Sequence, residues 1–105
     1  KMNLDPTLNL ELEVEFQQEL EQLVQAPKTL VIHNDEYNTF DFVIESLIEV
    51  CRHEPLQAEQ CTFIIHYSGK CAVKTDAFSR LQPIWVEMIN RGLTATIEDI
   101  PIIKC

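Results

Sequence analysis

The strongest constraint on the fold is a helical periodicity that follows directly on a short strand pattern. Apolar residues recur at intervals of three and four at Phe40, Val43, Ile44, Leu47 and Cys51. This spacing predicts a helix over about residues 39–51, with Asn38 able to cap it and Asp41 well placed in its first turn. Residues 29–33 form a β-branched, apolar run that ends in turn-forming residues. The sequence therefore predicts a strand, a loop and a helix in that order.

Proline and glycine bracket two further helices. Pro55 suits the first position of a helix and Gly69 its end, so we expect a helix between them. The β-forming residues inside this segment favour a strand instead. We give them less weight than the flanking proline and glycine, because propensity is a weak predictor that tertiary packing often overrides. A third helical pattern opens at Thr75-Asp76, is interrupted by Pro83 and ends at Gly92. Because proline has no amide proton to donate, Pro83 is expected to kink this helix or to begin its main segment.

Two short strands complete the predicted fold, at residues 70–74 and 93–98. The order β-α-α-β-α-β predicts an α+β fold in which three helices pack on one face of a small three-stranded antiparallel sheet. A length of 105 residues is enough for one core and not for two. We place this domain at residues 28–100, after an acidic N-terminal extension (1–27) and before a C-terminal tail (101–105).

The N-terminal extension changes its periodicity along its length. Residues 8–16 alternate strictly between apolar and polar, which is strand periodicity, whereas residues 16–24 show helical spacing. We expect residues 8–16 to pair with a sheet edge or a neighbouring chain, because a lone alternating strand cannot bury its apolar face. Pro27 separates the extension from the domain, since proline discourages helix in the residue before it.

Charge and hydropathy exclude several classes of function. The formal net charge of −9 would repel a nucleic-acid backbone, so we expect no nucleic-acid binding. No apolar run approaches the roughly 18 residues that a membrane span requires, and the first residues do not resemble a signal peptide. The sequence therefore predicts a cytoplasmic protein that does not bind membranes.

The cysteines indicate neither a disulfide framework nor a metal site. Four are present, each alone in the sequence, with no CxxC pair. Cys51 and His53 are the only pair worth weighing as metal ligands, and a helix end with a solvated imidazole is the more common arrangement. We expect reduced cysteines, no bound metal and no cofactor.

The specific information lies in three motifs. These are Leu30-Val-Ile-His-Asn-Asp-Glu-Tyr37, then Phe42-Val43, then His66-Tyr-Ser-Gly-Lys70. In order and interval they resemble the ClpS family of adaptors for ATP-dependent Clp proteases, and the likeness continues more weakly through residues 92–98. Several motifs with matching intervals are far more specific than one motif alone.

The resemblance implies recognition of N-degrons, protein N-termini that begin with a bulky hydrophobic residue such as Leu, Phe, Tyr or Trp. By this resemblance the substrate α-amino group would be held by Asn34, Asp35, Glu36 and His66. The chemistry is consistent, because an ammonium group has three donors and needs acceptors such as an amide carbonyl, a carboxylate and a neutral imidazole nitrogen.

The resemblance also implies a hydrophobic pocket for the first side chain of the substrate. Its lining residues would be Asn38, Phe40, Val43, Thr62 and Leu93. Phe40 and Thr62 stand where the family commonly has methionine, so one wall is stiffer and another smaller than usual. No catalytic residue is implied.

The partner implied by the resemblance is a Clp AAA+ chaperone, through a ClpA- or ClpC-like N-domain, to which N-degron protein substrates are delivered. The positions that offer this chaperone an acidic residue and a lysine in family members correspond here to Ala77 and Gln82.

The residues themselves leave two alternative functions open. One is an interaction module without N-degron recognition that adds a strand to a partner. The other is a small hydrolase in which Asp35 orients His66 as a base, although no serine or cysteine has a recognisable nucleophile setting.

Overall fold

The computed structural model describes residues 12–16 and 26–100. In the second range the chain forms three strands and three helices in the predicted order. These are β1 (Lys28–His33), α1 (Phe40–Cys51), α2 (Pro55–Ser68), β2 (Lys70–Asp76), α3 (Phe78–Asn90) and β3 (Thr94–Asp99). No helix within the described ranges is long and apolar enough to cross a membrane.

The three strands form one antiparallel sheet with β1 in the centre. The strand order is β2-β1-β3, and both neighbours run antiparallel to β1. His33 pairs with Lys70 on one side and with Thr94 on the other, so one edge of the sheet gathers the end of β1 and the starts of β2 and β3. The predicted α+β fold with a three-stranded antiparallel sheet is confirmed.

The core lies between the sheet and the helices. Leu30 and Ile32 on β1 are fully buried and cluster with Leu47 on α1 and with Leu81 and Met88 on α3. Burying a side chain of this size contributes roughly 1.5–3 kcal/mol, so this cluster fixes the helices to the sheet face that carries Leu30 and Ile32.

The helix ends follow the local sequence, except that a different residue from the predicted one caps α1. Thr39 caps α1, since its Oγ1 accepts a hydrogen bond from the Phe42 backbone N–H at 3.1 Å. The prediction that Asn38 is the cap is therefore wrong, because its side chain bonds to other partners. Helix α2 has the predicted bounds, and it ends at Gly69 with φ +93°. Glycine adopts this left-handed conformation at no steric cost.

The boundary between β2 and α3 differs from the prediction. Thr75 and Asp76 lie in β2, paired with Thr29 and Lys28, and do not open the third helix. Ladder hydrogen bonds to the central strand thus override the local helical pattern. Pro83 lies inside α3, which continues to Asn90.

Residues 12–16 are helical and exposed, so the strand prediction is wrong for these residues. Residues 8–11 of that prediction, and residues 17–24 of the helical pattern after it, lie outside the described residues. A helix pairs its backbone groups locally, whereas a strand needs a second strand to do so. Leucine and glutamate are also good helix formers, and they supply three of these five residues.

His53 is buried, and the expectation of a solvated imidazole is wrong. Its side chain is only 6% exposed, and Nε2 lies 2.7 Å from the carbonyl oxygen of Val73. Because that carbonyl can only accept, Nε2 carries the proton and donates. His53 thereby joins the turn after α1 to strand β2.

Candidate functional site

Asp35 organises the loop between β1 and α1. Its Oδ1 accepts hydrogen bonds from the backbone N–H groups of Tyr37 at 2.9 Å and Asn38 at 2.8 Å. Its Oδ2 accepts from Nδ2 of Asn38 at 2.7 Å. An aspartate that bonds to backbone groups two and three residues ahead holds the chain in a turn. The Asn-Asp segment therefore has a fixed loop conformation.

Three hydrogen bonds tie this loop to distant parts of the chain. The Asn34 backbone N–H donates to the carbonyl of Gly69 at 2.8 Å, which joins the loop to the end of α2. Nδ2 of Asn38 also donates to the carbonyl of Gly92 at 2.9 Å, and the Thr94 hydroxyl donates to Oδ2 of Asp35 at 3.3 Å. The loop is thus held against both α2 and the start of β3.

The pKa of Asp35 is lowered from its ordinary value of 3.8. Partial burial of the carboxyl group would by itself raise the pKa. Hydrogen bonds from Asn38, Tyr37 and Thr94 to the ionised form outweigh that effect. Asp35 is therefore a stable negative charge inside the loop.

His66 lies near the end of α2 with an exposed side chain. Its ring centroid is 6.5 Å from that of Phe40 at an interplanar angle of 85°, and Phe40 meets Phe63 edge-on at 4.8 Å. The first turn of α1 and the last turns of α2 therefore meet through aromatic rings. Asn34 and Glu36 are also exposed, on the loop that Gly69 anchors to this end of α2.

Three of the five residues predicted for the apolar pocket lie deeper in the molecule. Val43 and Leu93 belong to the core cluster, and Thr62 is buried. The Thr62 hydroxyl donates to the carbonyl of Ala58 at 2.7 Å, so its own helix satisfies it. Asn38 and Phe40 are partly exposed and are the outer members of the set. A side chain entering from solvent beside His66 would therefore meet Phe40 first.

Two cavities lie away from these residues. One, of about 320 Å³ between α3 and β3, is lined by Phe78, Gln82, Trp85, Ala95, Thr96 and Ile97. The other, of about 330 Å³, is lined by Cys51, Arg52, His53, Gln57, Val73, Lys74 and Thr75. Neither is lined by a residue predicted to hold the substrate. Gln82, one of the two positions predicted to face the chaperone, lines the first.

In the described part of the chain, Cys51, Cys61 and Cys71 are free thiols. Burial raises the pKa of Cys51 to about 11, and burial with the neighbouring Cys61 raises that of Cys71 to about 11. Thiols with such pKa values carry little thiolate at neutral pH and are poor nucleophiles. Within residues 12–16 and 26–100, no group of three or more His, Cys, Asp or Glu side chains could hold a metal ion.

Comparison with known proteins identifies the family of this chain. A family model described as "ATP-dependent Clp protease adaptor protein ClpS" matches residues 25–91. The chain belongs to the ClpS family. The match begins before β1 and ends just after α3, and it includes Asn34, Asp35, Glu36 and His66.

Relatives and a solved structure extend the comparison. A ClpS adapter protein of Clostridium acetobutylicum is 36% identical over 57% of this chain and 63% of its own length. One of Edwardsiella ictaluri is 33% identical over 85% of this chain and 83% of its own length. Agrobacterium tumefaciens ClpS2, solved bound to L-phenylalaninamide, matches at a TM-score of 0.67 and 20% identity, over 70% of this chain and 96% of that one. The chain thus spans slightly less than two thirds of the first of these relatives.

Several residues that contact the candidate site residues could not be identified from the sequence. Thr94 bonds to Asp35, and the carbonyl groups of Gly69 and Gly92 accept from the loop. Backbone carbonyls carry no sequence signal, and no local pattern connects Thr94 with a residue 59 positions earlier. Phe63 contacts Phe40. The sequence pointed to it only weakly, because it lies one residue after Thr62 and one helical turn before His66.

Proposed function

We propose that this ClpS-family chain binds the free N-terminal residue of protein substrates, where that residue is Leu, Phe, Tyr or Trp, and delivers them to a Clp AAA+ unfoldase-protease. One observation carries the proposal. The loop after β1, which offers hydrogen-bond acceptors, is bonded to the end of α2, and there the His66 ring lies beside the Phe40 ring. The ligand of the Agrobacterium structure also supports it, because phenylalaninamide combines a free α-amino group with a bulky apolar side chain.

The exposed acceptors would bind the substrate ammonium group directly. Asn34, Glu36 and His66 are exposed, and each offers an oxygen or a nitrogen lone pair. An ammonium group that loses water on binding needs such acceptors for its three donors. His66 takes part only when its imidazole is neutral, since imidazolium has no acceptor.

Asp35 would act chiefly through its charge and through the loop conformation. Its two oxygens already accept four hydrogen bonds, which is about the capacity of a carboxylate. The bond from Thr94, at 3.3 Å, is the longest of the four, and an incoming ammonium group would replace it most readily. The net charge of −9 adds a general attraction for cationic N-termini.

Phe40 would govern entry of the first side chain. It is partly exposed, whereas Val43, Thr62 and Leu93 of the predicted pocket are buried. Thr62 directs its hydroxyl to its own helix, which leaves the deeper wall without a free polar group. A bulky apolar side chain would gain most from such a site, because the gain grows with the apolar area removed from water.

The chain would act without catalysis. The hydrogen bonds of Asp35 in the described part of the chain go to Tyr37, Asn38 and Thr94, and none goes to His66. The pair required by the hydrolase alternative, in which Asp35 orients His66 as a base, is therefore not formed.

Delivery to the chaperone would use the groove between α3 and β3 at Gln82. Apolar side chains such as Trp85 would there take the place of a charged contact.

The decisive experiment is a titration with two matched peptides. A peptide with a free N-terminal Phe should bind, and its N-acetylated twin should not. His66→Ala should weaken binding by about 1.5–3 kcal/mol, or about 10- to 150-fold in Kd, because it removes an acceptor from a charged donor. Glu59→Gln, an exposed change on the same helix, is the control and should bind as the wild type does. Equal affinity for both peptides would refute the proposal.

A further inference from the structure

Helix α2 carries a stacked aromatic pair on its outer surface. The rings of Phe63 and Tyr67 are nearly parallel, at an interplanar angle of 7° with centroids 6.0 Å apart. Phe63 is 43% exposed and Tyr67 is 78% exposed. Leaving this much aromatic surface in water forgoes the free energy that its burial would provide. Neither residue was assigned above a direct contact with the first residue of a substrate, although Phe63 contacts Phe40.

The pair is continuous with the proposed substrate site on both sides. Phe63 meets the Phe40 ring edge-on with centroids 4.8 Å apart, next to the entry for the first side chain. Tyr67 lies 5.2 Å from the His66 ring at an interplanar angle of 80°, next to the proposed acceptor of the α-amino group. The stacked rings therefore extend the same surface outward along α2.

We propose that Phe63 and Tyr67 form a second subsite, which binds the side chain of the second substrate residue and favours an aromatic or large aliphatic one. This inference rests on the proposed N-terminal recognition. A residue held between His66 and Phe40 places the next Cα about 3.8 Å further along the chain. That distance brings the second side chain within reach of rings whose centroids lie about 5 Å from those of His66 and Phe40.

The chemistry of the subsite selects for apolar surface. Aromatic side chains gain from edge or offset contact with such rings in addition to the area they bury, whereas glycine gains neither. The substrate class is accordingly N-termini with two consecutive apolar residues, the first bulky. By the usual strength of aromatic pairs, Phe in place of Gly at the second position should tighten binding about two- to tenfold.

The test uses three peptides that begin with a free Phe and differ only at the second residue, which is Phe, Leu or Gly. Affinities are measured by fluorescence anisotropy on the full chain. The wild type should bind the Phe-Phe peptide tightest and the Phe-Gly peptide weakest. Tyr67→Ala should remove most of this preference and leave the affinity for Phe-Gly nearly unchanged, because the side chain is mostly exposed. Phe63→Leu, which keeps an apolar contact with Phe40, should reduce the preference in part.

Leu56→Ala is the matched control, since Leu56 is 66% exposed on the same helix but lies near its start. It should keep the full preference. Equal affinity of the wild type for all three peptides would overturn the subsite while leaving the recognition of the first residue intact. A preference that survives in Tyr67→Ala would overturn it as well. Failure of every free Phe peptide to bind would instead overturn the proposed function, and the subsite with it.

Discussion

At the residue scale, Asp35 holds the loop after β1 and is also part of the proposed recognition site. Its carboxylate closes the turn after β1 through Tyr37 and Asn38, and it also receives the Thr94 hydroxyl from β3. Removing either oxygen would leave donors without a partner and release the loop that carries Asn34 and Glu36. The same negative charge would attract an ammonium group. Structural and binding effects of changes at Asp35 must therefore be separated by experiment.

The lowered pKa of Asp35 predicts a pH-dependent contribution to stability. A carboxyl group whose pKa is lower in the folded state stabilises that state above its ordinary pKa of 3.8, and the contribution is lost as the pH falls through the lowered value. The wild type should therefore be more stable than Asp35→Asn near neutral pH, and the difference should shrink below about pH 4. Urea unfolding of both proteins across this range measures it. A difference that stays constant down to about pH 2 would contradict the argument.

Phe40 predicts discrimination by shape at the first substrate position. A peptide that begins with Leu should bind about tenfold more tightly than one that begins with Ile, because a branch at Cβ would meet the stiff ring at the entry. Phe40→Ala should reduce this ratio, and both measurements use the same two peptides. Equal affinity of the wild type for the two would indicate that the small Thr62 widens the site instead.

At the scale of elements, the residue that ends α2 also holds the loop of the candidate site. Gly69 ends the helix with φ +93°, and its carbonyl accepts the Asn34 N–H. The backbone conformation that ends the helix therefore also places the loop. The proline and glycine brackets predicted both ends of α2 correctly although its sequence is rich in β-formers, because they act on the backbone directly.

Substitution at Gly69 should be costly for conformational reasons alone. An added Cβ would meet nothing within 4 Å, so the penalty comes from the left-handed conformation. Gly69→Ala should lower the free energy of unfolding by about 1–2 kcal/mol. Gly69→Asn should cost less, since asparagine tolerates this conformation better. Urea denaturation of the two variants measures the penalty, and two variants as stable as the wild type would show that the backbone relaxes here.

At the scale of the whole molecule, the sheet topology assembles the site. With β1 in the centre, its carboxyl end meets the starts of β2 and β3, which bring Gly69 and Thr94 to the loop. The core cluster draws its members from positions 30–95. The hydrogen bonds described for the site also join residues within this range.

This distribution of the core predicts that residues 26–105 fold without the N-terminal extension. The truncated chain should keep its free energy of unfolding to within about 0.5 kcal/mol and its affinity for an N-terminal Phe peptide, because it retains every member of the described core cluster. As a control, Leu47→Ala in the full chain should cost about 2–5 kcal/mol. A truncated chain that is much less stable would show that the extension packs on the domain.

The sequence by itself determined the order of the elements, the ends of α2 and the chemical types at the site. Periodicity and turn residues act locally, so they can be recognised without a partner. Only the tertiary structure decided that Asn38 bonds to Asp35 and the Gly92 carbonyl while Thr39 caps α1, and that Asp76 stays in β2 opposite Lys28. Gly92 lies 54 positions from Asn38, and a local pattern carries no information about such a distant partner. The helix at residues 12–16 has a related cause: an alternating segment becomes a strand only where another strand pairs with it.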